Sequence, residues 1–107
     1  MTTFDKREDA FEKKFAHDAE LRFKAEARRN RMLGTWAAGL LGKRGADADA
    51  YVRSVIEADF EQAGDEDVFR KLRRDFDAAK VTQSDHQIRR TMEEMMQKAI
   101  AELSSDR

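Results

Sequence analysis

From Thr3 to Gly42 the chain carries neither a proline nor an internal turn signal, and most of its residues are good helix formers. Forty residues without a break exceed any ordinary strand, so the stretch reads as one long helix. Its first half, TFDKREDAFEKKFAHDAE, is charged on most sides. Its second half, LRFKAEARRNRMLGTWAAGLLG, begins basic and ends as an apolar anchor. Taking 100° per residue, Phe4, Phe11 and Phe15 fall on one stripe, and Leu33, Trp36 and Leu40 return close to the same angle. Between them the stripe is poorly defended: Leu21, Ala25 and Met32 sit to one side, Ala19 and Phe23 to the other. Firm packing is therefore expected only in the C-terminal half. Gly34 and Gly39 interrupt the anchor at a cost of about 1 kcal/mol each against alanine. Their expected return is a kink or a close helix crossing.

The remaining chain, also free of proline, divides into three shorter amphipathic helices. The second starts near Asp47 or Asp49 as cap, keeps helical spacing through Ala48, Tyr51, Val52, Val55, Ile56, Phe60 and Ala63, and stops at Gly64. Asp65 caps the third, whose acidic first turn (Glu66, Asp67) suits the positive end of the helix dipole. Its apolar face is Val68, Phe69, Leu72, Phe76 and Ala79. Ser84 with Gln87 forms a capping box for the fourth. That helix presents Ile88, Met92, Met95, Met96, Ala99, Ile100 and Leu103. The expected fold is all-α: a four-helix bundle over residues 20–107, with helices at about 20–42, 47–63, 65–80 and 84–103, preceded by a segment 1–19.

At 107 residues the chain supports one modest core. A net charge of −1 argues against a general nucleic-acid or membrane coat. The absence of cysteine excludes disulfides and thiolate metal sites and fits a reducing, cytoplasmic setting. No apolar run is long enough to insert directly into a membrane.

Chemistry is hard to find. Carboxylate two-metal sites in helical bundles use Glu-x-x-His pairs. The residues three before His17 and His86 are Lys14 and Gln83, so that motif is missing. Two histidines without cysteine make a poor zinc set, and neither has a nucleophile at triad-like spacing. The expectation is no metal, no cofactor and no catalysis. The basic residues Arg22, Lys24, Arg28, Arg29 and Arg31 point in several directions around a helix and have acidic runs on both sides. Their favoured reading is a solvated face pairing with the acidic second helix. The alternative is contact with a phosphate or an acidic surface through Arg22, Lys24, Arg28 and Arg29, which would make the chain a nucleic-acid or nucleotide-binding module. The Met92, Met95, Met96 cluster reads as core before it reads as an adaptable groove.

Phe4, Phe11 and Phe15 resist the core reading. A helix continuing back to Thr3 would project about 25 Å beyond the bundle at 1.5 Å per residue. Ordering it costs about 1–2 kcal/mol per residue, while three buried phenylalanines return about 5–9 kcal/mol. Residues 1–19 are thus expected to be frayed or disordered alone and to become helical in a partner's groove, the alternative being an N-terminus that folds back onto its own bundle.

A longer composite pattern carries a resemblance. Arg7-Glu8, Ala10-Phe11-Glu12, Lys14-Phe15-Ala16-His17-Asp18, Glu20-Leu21-Arg22-Phe23-Lys24-Ala25-Glu26-Ala27-Arg28-Arg29-Asn30, Leu33-Gly34 and Trp36-Ala37-Ala38 together resemble the zeta subunit of alphaproteobacterial F-type ATP synthases. The likeness continues through Tyr51–Gly64 and Asp85–Arg90. It implies a four-helix inhibitor of ATP hydrolysis held at the inner membrane through the ATP synthase head; the free chain is expected to be a monomer. It also implies that the N-terminal segment wedges between the beta and alpha subunits near the gamma shaft. Carried onto this sequence, the partner-binding residues are Phe4, Arg7, Phe11, Lys14 and Phe15, with the part from about Met32 onward as anchor.

Overall fold

The computed structural model describes residues 19–61 and 65–105. Within them four helices follow one another: α1 (Ala19–Leu40), α2 (Gly45–Glu61), α3 (Asp65–Ala78) and α4 (Asp85–Ser105). Short connections make successive helices antiparallel. The long α1 packs against both α2 and α4, α2 against α3, and α3 against α4. The described residues form an all-α four-helix bundle. Its expected first segment, with Phe4, Phe11 and Phe15, lies outside the described residues, as do Ala63, Gly64 and the side chain of Phe60.

The core sits toward one end of the bundle. Leu33, Ala37 and Ala38 of α1 meet Tyr51 and Val55 of α2, Val68, Phe69, Leu72 and Phe76 of α3, and Ile88 and Met92 of α4. Trp36, Leu41, Ala48, Val81 and Met95 close around it. Trp36 stands edge-on to Phe76, with ring centroids 5.6 Å apart and planes at 88°, a geometry that sets the positive edge of one ring on the negative face of the other.

Small residues decide how α1 and α2 meet. A Cβ built on Gly34 would stand 2.8 Å from the Val52 Cα, so only glycine permits this approach. At Gly39 such a Cβ has nothing within 4 Å. The close-crossing expectation thus holds for Gly34 and not for Gly39. The apolar stripe also runs differently from the sequence reading: Leu40 is 39% exposed, and its neighbour Leu41 packs on the core instead. The turn at the end of α1 explains the exchange. Gly42 adopts φ +74°, the Lys43 N–H donates to the Ala38 carbonyl at 2.9 Å, and the Gly42 N–H donates to that of Gly39 at 3.2 Å. These two bonds make a Schellman motif, which folds the chain back just after Leu40.

The same motif ends α3 with an unusual residue. Lys80 occupies the left-handed position at φ 59°, the Val81 N–H donates to the Phe76 carbonyl at 2.8 Å, and the Lys80 N–H to that of Asp77 at 3.1 Å. Val81 is thereby delivered to the core, and Ala79, expected on the apolar face, lies exposed beyond the helix end. α2 begins at Gly45, earlier than a cap at Asp47 or Asp49 requires. The Asp47 and Ala48 N–H groups already donate to the Arg44 carbonyl, which places Asp47 inside the first turn, where its charge meets the helix dipole. At α4 the capping box is formed: Ser84 N–H donates to Gln87 Oε1 at 2.8 Å, and Gln87 N–H to Ser84 Oγ at 3.1 Å.

Candidate functional site

The side chains singled out by sequence fall into two sets. Phe4, Arg7, Phe11, Lys14 and Phe15 lie outside the described residues. Arg22, Lys24, Arg28 and Arg29 lie on the first three turns of α1, and the fold separates them. Arg22 and Lys24 are exposed, with Lys24 Nζ 3.3 Å from Glu20 one turn earlier on the same helix. Arg28 is half-buried and reaches Glu102 of α4 at 3.6 Å. Arg29 is 1% exposed. Its Nε donates to Asn30 Oδ1 at 3.0 Å and its Nη1 to Asp65 Oδ1 at 2.6 Å. Glu102 of α4 meets Arg28 and Asp65 at the start of α3 meets Arg29; the side chains of Asp59 and Glu61, at the acidic end of α2, lie outside the described residues.

Arg29 occupies this place for a reason legible afterwards in the spacing. Ala25, Arg29, Leu33 and Ala37 stand four residues apart, and all four are buried. A cation therefore sits on the most buried stripe of α1. Periodicity counts apolar residues, so it passes over an arginine within the row. Burying a guanidinium is expensive unless it is paired. Asp65 supplies the charge and Asn30, itself 1% exposed, supplies an acceptor. Nη2 is left without a hydrogen-bond partner.

Beside Arg29 opens a cleft of about 290 Å³ between α1, α3 and α4, lined by Asp65, Arg89, Met92, Glu93 and Met96. Both arginines on its wall have carboxylate partners. Arg89 straddles Glu66 with two hydrogen bonds, of 2.8 and 3.2 Å, and lies 3.9 Å above the Phe69 ring. The hydrogen bond from Arg89 holds the Glu66 carboxyl below its ordinary range, more than offsetting the opposing desolvation. The methionines divide accordingly: Met92 and Met95 belong to the core, while Met96 is half-buried on the cleft wall.

A second polar knot lies at the other end of the core. The Tyr51 hydroxyl donates to Asp75 Oδ2 at 2.8 Å, Lys71 Nζ reaches the same oxygen at 3.0 Å, and the ammonium lies 4.9 Å from the Tyr51 ring centroid. Burial first, and the hydrogen bond to Asp75 second, push the phenol far above its ordinary value. Arg73 ties α3 to α4, donating to Asp77, to Asp85 at 2.9 Å and to the Gln83 carbonyl at 2.6 Å. Among the described residues no group of three or more His, Asp or Glu is placed to hold a metal ion. Among the same residues, no helix is long and apolar enough to cross a membrane.

The described part thus holds a packed body whose helices are tied together by ion pairs such as Arg28–Glu102, Arg29–Asp65, Arg73–Asp85 and Arg89–Glu66. A family model described as ATPase inhibitor subunit zeta matches residues 1–102. The chain belongs to that family. The match includes the N-terminal residues as well as the bundle, and the family is one of inhibitor subunits. A protein solved by solution NMR is similar to it at 44% identity and a TM-score of 0.69, over 81% of this chain and 99% of that one. Among curated proteins none matches.

Proposed function

We propose that this chain inhibits ATP hydrolysis by an F-type ATP synthase by inserting residues 1–19 between a catalytic beta subunit and its alpha neighbour, near the gamma shaft, while the part from about Met32 onward serves as the anchor. The observation that carries the reading is the zeta-family match across residues 1–102. Beside it stands the Phe4, Phe11, Phe15 stripe, which a bundle already closed by its own Leu33, Trp36 and Leu72 does not need. Arg7 and Lys14 flank the stripe and suit carboxylates at the rim of a groove.

A wedge of this kind needs no chemistry of its own. Hydrolysis turns the shaft in the direction that closes the cleft on the inserted helix, and synthesis turns it in the direction that releases it. Inhibition is then directional. The protein resides in the cytoplasm and meets the inner membrane only through the ATP synthase head.

The test is a chain lacking residues 1–19. Its bundle keeps its helical circular dichroism and cooperative melting, and it no longer slows ATP hydrolysis by the isolated head. Full inhibition by the shortened chain would overturn the assignment. A salt titration of the complex addresses the nucleic-acid and nucleotide alternative: a phosphate-dominated contact weakens steeply with salt, a phenylalanine-anchored helix much less. The pairing of Arg28 with Glu102 and of Arg29 with Asp65 speaks against that alternative.

A further inference from the structure

Two of the three nitrogens of the Arg29 guanidinium are satisfied, Nε by Asn30 and Nη1 by Asp65. Nη2 is equally buried and meets no acceptor among the described residues. A buried donor left in this state is costly, and few folded proteins keep one without a use for it. Arg29 also belongs to the lining of the cleft of about 290 Å³ between α1, α3 and α4. That volume stands at the lower edge of the range for small-molecule sites. Met92 and Met96 give the wall its apolar surface, and Glu93 and Gln97, both exposed, stand at the rim. Methionine is unbranched and adaptable, so the half-buried Met96 can turn aside and open the way to Nη2.

The fixed charges decide what kind of molecule fits. An anion in the cleft would face the carboxylates of Asp65 and Glu93, and a cation would face the guanidinium groups of Arg29 and Arg89. Both arginines already hold a carboxylate, so neither calls for a second. The unmet need is a single N–H. At the rim, the Glu93 carboxylate and the Gln97 amide oxygen are acceptors. The complement is therefore uncharged, with a carbonyl oxygen to take the N–H, an N–H of its own to give, and an apolar body to lie on the thioethers. A carboxamide carries the oxygen and the N–H on one planar group.

We infer that this cleft binds a small uncharged carboxamide: its oxygen accepts from Arg29 Nη2, its N–H donates to Glu93 or Gln97, and its apolar body covers Met92 and Met96. The site is independent of the inhibitory function proposed above, since every residue that forms it lies in the bundle.

The experiment uses the isotopically labelled full-length chain and benzamide as the probe, with benzoate and benzylamine as charged relatives of similar size. Backbone amide signals and the Arg29 Nε–H signal are followed by NMR. The expected result is a saturable shift confined to Arg29, Asp65 and the α4 stretch 89–97, with half-saturation at about 1–10 mM. Benzoate and benzylamine should need at least tenfold more. Met96→Trp, which fills the cleft, should raise the benzamide value at least tenfold, and Glu94→Gln, outside the lining on the same turn, should leave it unchanged. If Met96→Trp also moves the signals of Val55 and Leu72, Glu93→Ala at the exposed rim is read instead and should raise the value at least threefold. The absence of a saturable shift at Arg29 overturns the inference. So does a charged relative that binds as well as benzamide, or a filled cleft that still binds it like wild type. Inhibition that survives the deletion of residues 1–19 sinks the wedge reading and leaves the carboxamide site standing.

Discussion

Arg29 Nη1 lies 2.6 Å from Asp65 Oδ1, and the two ends of that pair live in different media: the arginine side chain is 1% exposed, the aspartate 61%. The guanidinium cannot reach water, so its carboxylate partner carries most of its solvation. Removing the partner of a buried charge typically costs about 3–5 kcal/mol, and the open side of Asp65 lowers this toward about 2–4 kcal/mol. Asp65→Ala is expected to lose that much in urea unfolding. Asp65→Asn, which keeps an acceptor, is expected to lose about 1 kcal/mol. Equal losses for both variants would show that charge is irrelevant at this position.

Gly34 and Gly39 lie five residues apart on one helix and should respond oppositely to alanine. Gly39→Ala has open space and gains helix propensity, so a stabilisation of about 0.5–1 kcal/mol is expected. Gly34→Ala gains the same propensity but drives a methyl against the Val52 backbone. Overpacking of that kind costs about 1–3 kcal/mol, and the net change should be destabilising. Thermal melts of the two single variants decide it.

Lys80 sits in a left-handed conformation that a side chain resists by about 1–2 kcal/mol. Lys80→Gly relieves the strain and should raise stability by about 0.5–1 kcal/mol, less than the full strain because glycine also gains freedom in the unfolded chain. Gly42, at φ +74° in the equivalent turn, supplies the mirror test: Gly42→Ala is expected to destabilise by a similar amount. Chemical denaturation midpoints report both.

Tyr51 and Glu66 make stability depend on pH in opposite directions. Tyr51 has its phenol raised above the ordinary 10, so beyond pH 10 the unfolded chain ionises while the folded one keeps its proton. Stability therefore falls as the pH rises past 10, and Tyr51→Phe should flatten that alkaline limb while losing about 1 kcal/mol at neutral pH with the Asp75 hydrogen bond. Glu66 works in the other direction. Its folded carboxyl titrates below the ordinary 4.5, so its contribution is present above that value and is lost as the pH falls through the depressed one. Glu66→Gln should remove this part of the acid limb in melting curves recorded between pH 2 and 7.

The residue pattern by itself determined the helical class, the order of four helices and most of the α3 face. It also located the capping box at Ser84 and Gln87. All of these are local: propensity, period and capping act within a few residues, and a sequence displays them directly. What only the tertiary structure decided are the places where distant segments meet. The inward Arg29 needs Asp65, thirty-six residues away, before its burial makes sense. Leu41 replaces Leu40 in the core because the turn at Gly42 swings it there, and Gly34 rather than Gly39 admits α2 because Val52 happens to lie opposite. The Phe4, Phe11, Phe15 stripe stays a matter of sequence and family, since it lies outside the described residues. A lone stripe names a need for cover. Which surface supplies the cover is set by geometry across the whole molecule, and that information is absent from any window of the chain.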